Sequence, residues 1–248
     1  MNLRLATWNL DEASTTNKTR AFHQIEQIKK IDADIFILTE TSDLIDLSSF
    51  GYSQKSNKIK NEYGKYCASI WSKYEIIRRI KTYDEETAVC CAIKLPNQKN
   101  IIIYGTIITY LSDKGPAGTS KFAEEHYSEI LKQSNDWGHI IKRESPEIFC
   151  VAGDFNQPRD GSSWYSAHSA NKRGVEELTT QLGNYKLECL TDKNFTESGQ
   201  LQDRHNVDHI CITKNTIILN NVEVWQGTYG NNKKLSDHNG VFIDISVK

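Results

Sequence analysis

Proline occurs four times in this 248-residue chain, and glycine 14 times. Collagen-like repeats, proline-rich recognition segments and glycine-serine linkers are therefore excluded. Long apolar runs are missing as well: stretches such as Ile101 to Ile103 fall far short of the roughly 18 residues that a membrane helix needs. Neither sign of charge dominates. Thirty Lys and Arg face 32 Asp and Glu, a formal net charge of −2, which excludes a globally basic coat for nucleic acid but leaves a local basic patch open. The N-terminal residues Met-Asn-Leu-Arg-Leu-Ala-Thr-Trp-Asn-Leu lack the apolar stretch and small-residue cleavage site of a secretory signal. A cytoplasmic location and no membrane partner are the expectation.

The six cysteines, Cys67, Cys90, Cys91, Cys150, Cys189 and Cys211, include no Cys-x-x-Cys pair, and most lie in apolar strand-like runs. There a cysteine acts as a small hydrophobe, so zinc binding and a disulfide framework are not expected. What the chain does have is 38% hydrophobic and 25% charged residues, enough to bury a core, with no linker rich in Gly, Pro or Ser and no repeat of fixed period. One domain over residues 1–248 is expected.

The first forty residues read as strand, helix, strand. Leu3 to Leu10 is a short strand, and Thr16 or Asn17 can cap a helix running to about Ile31, with Phe22, Ile25 and Ile28 as its buried stripe. Ile35 to Leu38 is a continuous apolar run of the kind that is covered on both faces. A crossover of this length joins parallel strands, so Asn9 and Glu40 lie at the same end of a sheet. Strands follow at Cys67–Trp71, Glu75–Thr82, Thr87–Leu95 and Ile101–Ile108. A second helix begins at Thr119 or Ser120, with Phe122, Tyr127, Ile130 and Leu131 on its apolar side. Ile148 to Gly153 is another buried strand, Lys172 to Leu182 a third helix, and the rest returns to strands near Lys186–Leu190, Val207–Thr213, Ile217–Trp225 and Val241–Val247. Strands outnumber helices and the strands–helix–strands pattern occurs twice. The fold class is α/β: two packed mixed sheets with helices on the outer faces.

Polar residues at the ends of apolar runs carry the functional information. Asn9, Glu40 and Asp154 each end one, Asn156 follows two residues later, Asp208 opens another, and Asp237-His238 precedes the last. An ordinary turn explains any one of these. Together they form a set suited to metal and phosphate chemistry. Thr7-Trp8-Asn9, Leu38-Thr39-Glu40, Gly153-Asp154-Phe155-Asn156, Val207-Asp208-His209 and Ser236-Asp237-His238 occur in that order. The series resembles the exonuclease–endonuclease–phosphatase superfamily, the deoxyribonuclease I-like proteins, from Asn9 to His238. The resemblance implies a four-layered α/β sandwich, a divalent cation and hydrolysis of a phosphate ester. It implies Mg2+, with Mn2+ as the alternative ion, on Glu40, and with Asn9 and Asp237 in support. It implies Asp154 as the group that orients or deprotonates the attacking water, Asn156 as a donor to phosphate or water, and His238 as the transition-state stabiliser oriented by Asp208.

Tyr110 follows the strand Ile101–Ile108 where many relatives have His and the apurinic endonuclease branch has Tyr. Its hydroxyl could donate to the phosphate or the leaving group. The stretch Leu111-Ser112-Asp113-Lys114-Gly115 and the approach Asp203-Arg204-His205-Asn206-Val207 depart from that branch, so abasic-site repair is not expected. Between Lys55 and Lys81, eight Lys and Arg outnumber Glu62 and Glu75, with Tyr63, Tyr66, Trp71 and Tyr74 interleaved. Such a stretch suits a nucleic-acid groove, and equally a solvated edge strand. Tyr63-Gly64-Lys65 resembles a substrate-side loop of family nucleases, which makes Lys65 and Tyr66 substrate-binding candidates. His205 is a further one, and the loop Gln157 to Asn171, with Arg159, Trp164 and His168, could shape a pocket. Trp137 and Trp225 are expected to pack in the core. The leading expectation is a nuclease with a nucleic-acid partner. A hydrolase of small phosphate esters and a catalytically silent binding module are the alternatives.

Overall fold

The computed structural model describes all residues except 13–15, 61–63, 163–167, 203 and 231–232, and omits the side chains of 168–171. In chain order the elements are β1 (Asn2–Asn9), α1 (Lys18–Ile31), β2 (Ile35–Ser42), β3 (Tyr52–Lys55), β4 (Lys65–Ser72), β5 (Ile76–Ile80), β6 (Val89–Lys94), β7 (Asn100–Ile107), α2 (Glu124–Glu144), β8 (Ile148–Asp154), α3 (His168–Asn184), β9 (Leu187–Cys189), β10 (Asp208–Thr213), β11 (Ile217–Trp225), β12 (Thr228–Tyr229), β13 (Lys233–Lys234) and β14 (Gly240–Val247).

Two six-stranded sheets form, in the orders β11-β14-β1-β2-β4-β3 and β5-β6-β7-β8-β10-β9. In each sheet one neighbouring pair is parallel, β1 with β2 and β7 with β8, and these are the pairs bridged by α1 and α2. The sheets pack face to face through a core that includes Leu5, Ile37, Ile70, Val89, Ile103, Ile210 and Ile243. The outer face of the first sheet buries Trp8, Phe36 and Trp225 with Ile28 of α1, and that of the second buries Tyr104 and Phe149 with Trp137 of α2 and Leu178 of α3. Three apolar layers thus join four layers of structure, helix–sheet–sheet–helix. No helix among the described residues is long and apolar enough to cross a membrane.

The helices correct the apolar stripes read from sequence. Asn17 caps α1, its side chain accepting from Arg20 N at 3.0 Å. Phe22 is 58% exposed, however, and the buried residues are Ala21, Gln24 and Ile28. Gln24 goes inside because its amide donates to the carbonyls of Leu10 at 2.9 Å and Leu235 at 2.8 Å. α2 starts at Glu124, later than predicted. Its exposed residue Leu131 and the preceding Phe122 give way inside to Ile130, Trp137 and Ile140, with His126 and Gln133 buried beside them.

Arg4 ties β1 to β14. Its Nε and Nη2 donate to Asp244 Oδ1 at 2.7 Å and Oδ2 at 2.9 Å, and Nη1 donates to Ile31 O at 3.0 Å. The hydrogen bonds from Arg4 hold the Asp244 carboxyl below its ordinary value. A depressed carboxyl contributes stability above its unfolded pKa of about 3.9 and loses it as pH falls through the folded value. Asp244→Asn should therefore cost about 1 kcal/mol at neutral pH, as befits a partly exposed pair. The gap to the parent protein should close in acid. Urea unfolding at neutral pH and near pH 3 checks both halves of this expectation.

Candidate active site

The two parallel pairs bring their polar strand ends to one place. Gly153, with φ +140°, lets β8 pass so close to β7 that a Cβ there would lie 1.9 Å from Thr106 O. Asp154 follows it and stands directly opposite Asp208 on antiparallel β10. In the other sheet the β2–β4 register stops at Thr39 opposite Ala68 and resumes at Thr41 opposite Tyr66. Glu40 between them has φ 46°, and Asn156 has φ 51°. Left-handed backbone at two residues that are not glycine is strain of the kind that collects at functional sites.

Asn9 joins the sheets. Its Nδ2 donates to Glu40 Oε1 at 2.8 Å and to Asp154 Oδ2 at 2.9 Å, while its Oδ1 accepts from Asp11 N at 2.8 Å. Asp154 Oδ1 accepts from Asn156 N at 2.8 Å, and its Oδ2 accepts from Asn156 Nδ2 at 3.0 Å. His238 Nδ1 lies 2.7 Å from Asp208 Oδ2, and its Nε2 lies 3.9 Å from Asp154 Oδ2. Two supports of His238 come from residues that the motifs contain but to which sequence reasoning gave no role. Trp8 Nε1 donates to His238 O at 3.1 Å. Ser236 Oγ donates to Asn9 O at 2.6 Å and accepts from His238 N at 2.9 Å.

Burial alone would keep His238 neutral, but Asp154 and Asp208 overcome it and push the imidazole up to about 10. Burial pushes Asp154 up to about 6, against the pull of His238. Burial also raises Asp208, again opposed by His238. Glu40 is raised by burial, opposed by the Asn9 hydrogen bond and reinforced by Asp154. Asp154, Asp208 and His238 offer atoms within 4.8 Å of one another. Three such groups could ligate a metal, yet an imidazole protonated on both nitrogens has no lone pair to give. They form an ion-paired triad, and the oxygen donors beside it are the ones suited to a cation.

Glu40, Asn156, Asp237 and His238 open onto a cleft of ≈ 630 Å³, together with Tyr110, Thr87, Ile107, Thr109 and Cys67. Asp113, Glu125 and Glu129 also line it. Only Asp113 among these three drew notice in the sequence, and no spacing signal points to the two on α2. Tyr110 is 48% exposed. The remaining candidates stand away from the cleft walls. Lys65 Nζ lies 3.2 Å from Glu12 Oε2, and Glu12 N in turn donates to Glu40 Oε2 at 2.9 Å. Tyr66 is 8% exposed, its OH donating to Asp43 Oδ1 at 2.8 Å and its ring lying under Lys55 Nζ. His205 Nδ1 is 3.0 Å from Asp160 Oδ2. Tyr63, Asp203 and Trp164 lie outside the described residues, as do the side chains of His168 and Asn171.

The basic stretch between Lys55 and Lys81 has carboxylate partners for several of its cations among the described residues. Lys55 and Lys58 pair with Asp43, Lys73 with Asp32, Arg78 with Glu144 and Arg79 with Glu85. Its strands β3 and β5 are edge strands of the two sheets, where lysine is a normal guard against edge pairing.

By sequence, no protein-family profile and no curated protein matches the chain. Solved structures do. The endonuclease/exonuclease/phosphatase from Bacteroides vulgatus superposes with a TM-score of 0.70 at 16% identity, over 100% of both chains. The chain has the endonuclease/exonuclease/phosphatase fold. The human Nocturnin catalytic domain, solved with a bound sulfate anion, shares this fold with a TM-score of 0.66 at 15% identity, over 100% of this chain and 95% of that one. ANGEL2, a 2′,3′-cyclic phosphatase, shares it with a TM-score of 0.69 at 13% identity, over 99% of this chain and 95% of its own. The four-layered α/β sandwich expected from the ordered motifs is therefore the architecture found.

Proposed function

We propose that the chain is a metal-dependent hydrolase of phosphoric esters that acts on phosphodiesters. The observation that carries the reading is the buried His238–Asp208 pair facing Asp154, with Glu40 tied to Asp154 through Asn9. The donor set fits a hard divalent cation. Glu40 is a half-buried carboxylate with no cationic side chain in ion-pair contact among the described residues, held above its ordinary pKa beside the buried carboxylate of Asp154. Mg2+ takes one or two carboxylates and keeps waters and substrate oxygens as its other ligands. Glu40 would hold it, with Asp237 and the Asn9 carbonyl in support, and it would supply Lewis-acid stabilisation of charge on the phosphoryl oxygens.

The chain's own groups do the rest. Asp154, fixed by amide donors on both oxygens, accepts a proton from the attacking water and aims it. His238 is charged at neutral pH and places a donor where negative charge grows on the phosphorus oxygens. Asp208 fixes the ring and favours its charged form. Asn156 Nδ2 is shared between Ile108 O at 3.0 Å and Asp154, so its first duty is to hold Asp154. Tyr110, exposed at the cleft edge, is placed to donate to the phosphate or leaving group.

The finer reading, cleavage of DNA or RNA, draws on the ordered motifs. The reading as a hydrolase of small esters draws on the carboxylates of the cleft wall, which oppose entry of a polyanion. A panel of single-stranded DNA, RNA, bis(p-nitrophenyl) phosphate and sugar phosphates, assayed with Mg2+ and with EDTA, decides between them. Turnover of at least one diester, abolished by EDTA, is expected. No turnover of any ester with Mg2+ or Mn2+ would remove the proposal.

A further inference from the structure

Asp237 stands between two hollows of different charge. The cleft on one side is lined by Glu40, Asp113, Glu125 and Glu129, and among the described residues by no Lys or Arg, His238 being its one cation. Its outer carboxylates accept only from neutral groups among the described residues: Asp113 from Thr109 Oγ1 and Gly115 N, Glu125 from Ser120 Oγ, and Glu129 from Tyr83 OH and Gln133 Nε2. On the other side lies a hollow of ≈ 260 Å³ lined by Arg204, Lys234, Gln202, Gln226, Thr228 and Asn239, with Asp237, the candidate cation ligand, on the shared wall. Lys234 Nζ is held by Asp11 at 2.8 Å, so its charge is balanced. Arg204 has no carboxylate partner among the described residues. Its Nη1 donates to Asp237 O at 2.6 Å, and its backbone carbonyl accepts from Asn239 Nδ2 at 3.2 Å. The guanidinium is thereby anchored by one nitrogen beside the residue that precedes His238.

The floor of this hollow is built into the site. Gly227 O accepts from Leu235 N at 2.8 Å and Ser236 N at 3.0 Å, and Gly227 N donates to Asn239 Oδ1 at 3.3 Å. A Cβ on Gly227 would lie 2.2 Å from His238 O. Arg204 and the catalytic histidine are therefore held against one short piece of backbone.

We infer that this hollow is a subsite for a second phosphate of the substrate, next to the scissile one. The inference rests on the phosphoesterase reading above. A guanidinium with donors to spare presents a planar fork that matches phosphate oxygens, and the surrounding amides and hydroxyl add neutral donors. The carboxylates across Asp237 repel a second anion from the opposite cleft. The substrate thus enters in one direction, its further phosphate toward Arg204 and its uncharged part toward Tyr110. The second phosphate could belong to a nucleotide chain or to a small polyol bisphosphate, and the chemistry of recognition is the same.

Matched substrates test this. One pair is a p-nitrophenyl phosphodiester of thymidine with and without a second phosphate on the sugar, and the other is the same pair built on glycerol. With the parent protein and Mg2+, the second phosphate should lower KM about tenfold, the worth of one charge-assisted contact. Arg204→Gln should erase that gain, leave kcat unchanged and leave the one-phosphate substrates alone. The arm that shows the gain names its source. No gain in either arm, or an equal loss with both members of a pair, would overturn the subsite. Calorimetric binding of the two-phosphate compounds in EDTA reads the hollow without turnover. Weaker binding by Arg204→Gln supports the subsite even if no ester is hydrolysed, in which case the phosphoesterase reading alone fails. Equal binding by both proteins overturns the subsite whatever the turnover.

Discussion

Replacing His238 by Gln should lower kcat on a phosphodiester by about 10²–10³-fold, the usual worth of a positioned donor to a developing oxyanion. KM should move little, because the ring's charge matters most once negative charge has built up in the transition state. Gln is chosen because its amide can still donate to Asp208. Gln and Ala both leave Asp208 and Asp154 as buried carboxylates without their cation, which should cost about 3 kcal/mol of stability besides the rate, and Ala loses the hydrogen bond to Asp208 as well. Both variants should lose turnover and melting temperature, the alanine more of the latter, and the rate of the Gln protein below its melting temperature reads the chemistry. The imidazole is pushed up to about 10, so it is charged throughout the neutral range and its charged form is lost only as pH rises through that value. The parent's activity should fall on that alkaline limb, and the Gln variant's residual activity should not. A kcat within threefold of the parent in His238→Gln would dismiss the histidine from the reaction.

The layered fold was readable because its signals are local. Ile35–Leu38, Ile101–Ile103 and Ile148–Val151 are unbroken apolar runs, and each became a strand buried on both faces. The misreadings are equally physical. Phe22 looked like core by spacing and faces solvent, because Gln24, in reach of two backbone carbonyls, takes the inward position. The strand β3, Tyr52-Ser-Gln-Lys, is polar and short, as edge strands are, and gives no apolar pattern to read. The counter-charges of the basic stretch, Asp32, Asp43 and Glu144, are brought to it by the fold and carry no signal in its own sequence.

The site was legible as a set of residue types, and not as geometry. Asn9, Glu40, Asp154 and Asp208 each stop or start an apolar run, so the parallel pairing of β1 with β2 places Asn9 by Glu40 and the antiparallel pairing of β8 with β10 places Asp154 opposite Asp208. That Glu40 and Asn156 adopt left-handed backbone, or that Asn9 bridges Glu40 to Asp154, depends on both sheets being in place. The supports Trp8 and Ser236 lay inside the motifs but touch His238 only through contacts more than two hundred residues long for Trp8 and through the turn for Ser236. Glu125 and Glu129 are ordinary helix carboxylates in sequence, and become cleft walls only because α2 passes that edge.

Glu40→Gln should make the protein inactive and, without metal, more stable. Burial and the neighbouring Asp154 both disfavour the Glu40 carboxylate, and the Asn9 hydrogen bond only partly offsets them. A neutral amide of the same shape removes the like-charge repulsion while Asn9 Nδ2 keeps an oxygen to donate to. Its cost is the contact at Glu12 N, which lies at the exposed side of the site and can turn to water. In EDTA the variant should gain about 1 kcal/mol, or about 2–4 °C in melting temperature for a chain of this size. With added Mg2+ the order should reverse. A ligand that binds only the folded state raises its stability in proportion to the logarithm of its excess over Kd, so the parent should climb with Mg2+ and Glu40→Gln should stay flat. Turnover of a diester should fall at least about 10³-fold, since several kcal/mol of charge stabilisation on the phosphoryl oxygens is lost with the cation. The melting curves alone are decisive for the cation site. If Mg2+ raises the melting temperature of both proteins equally, Glu40 does not hold the ion, and the repulsion between Glu40 and Asp154 serves no metal.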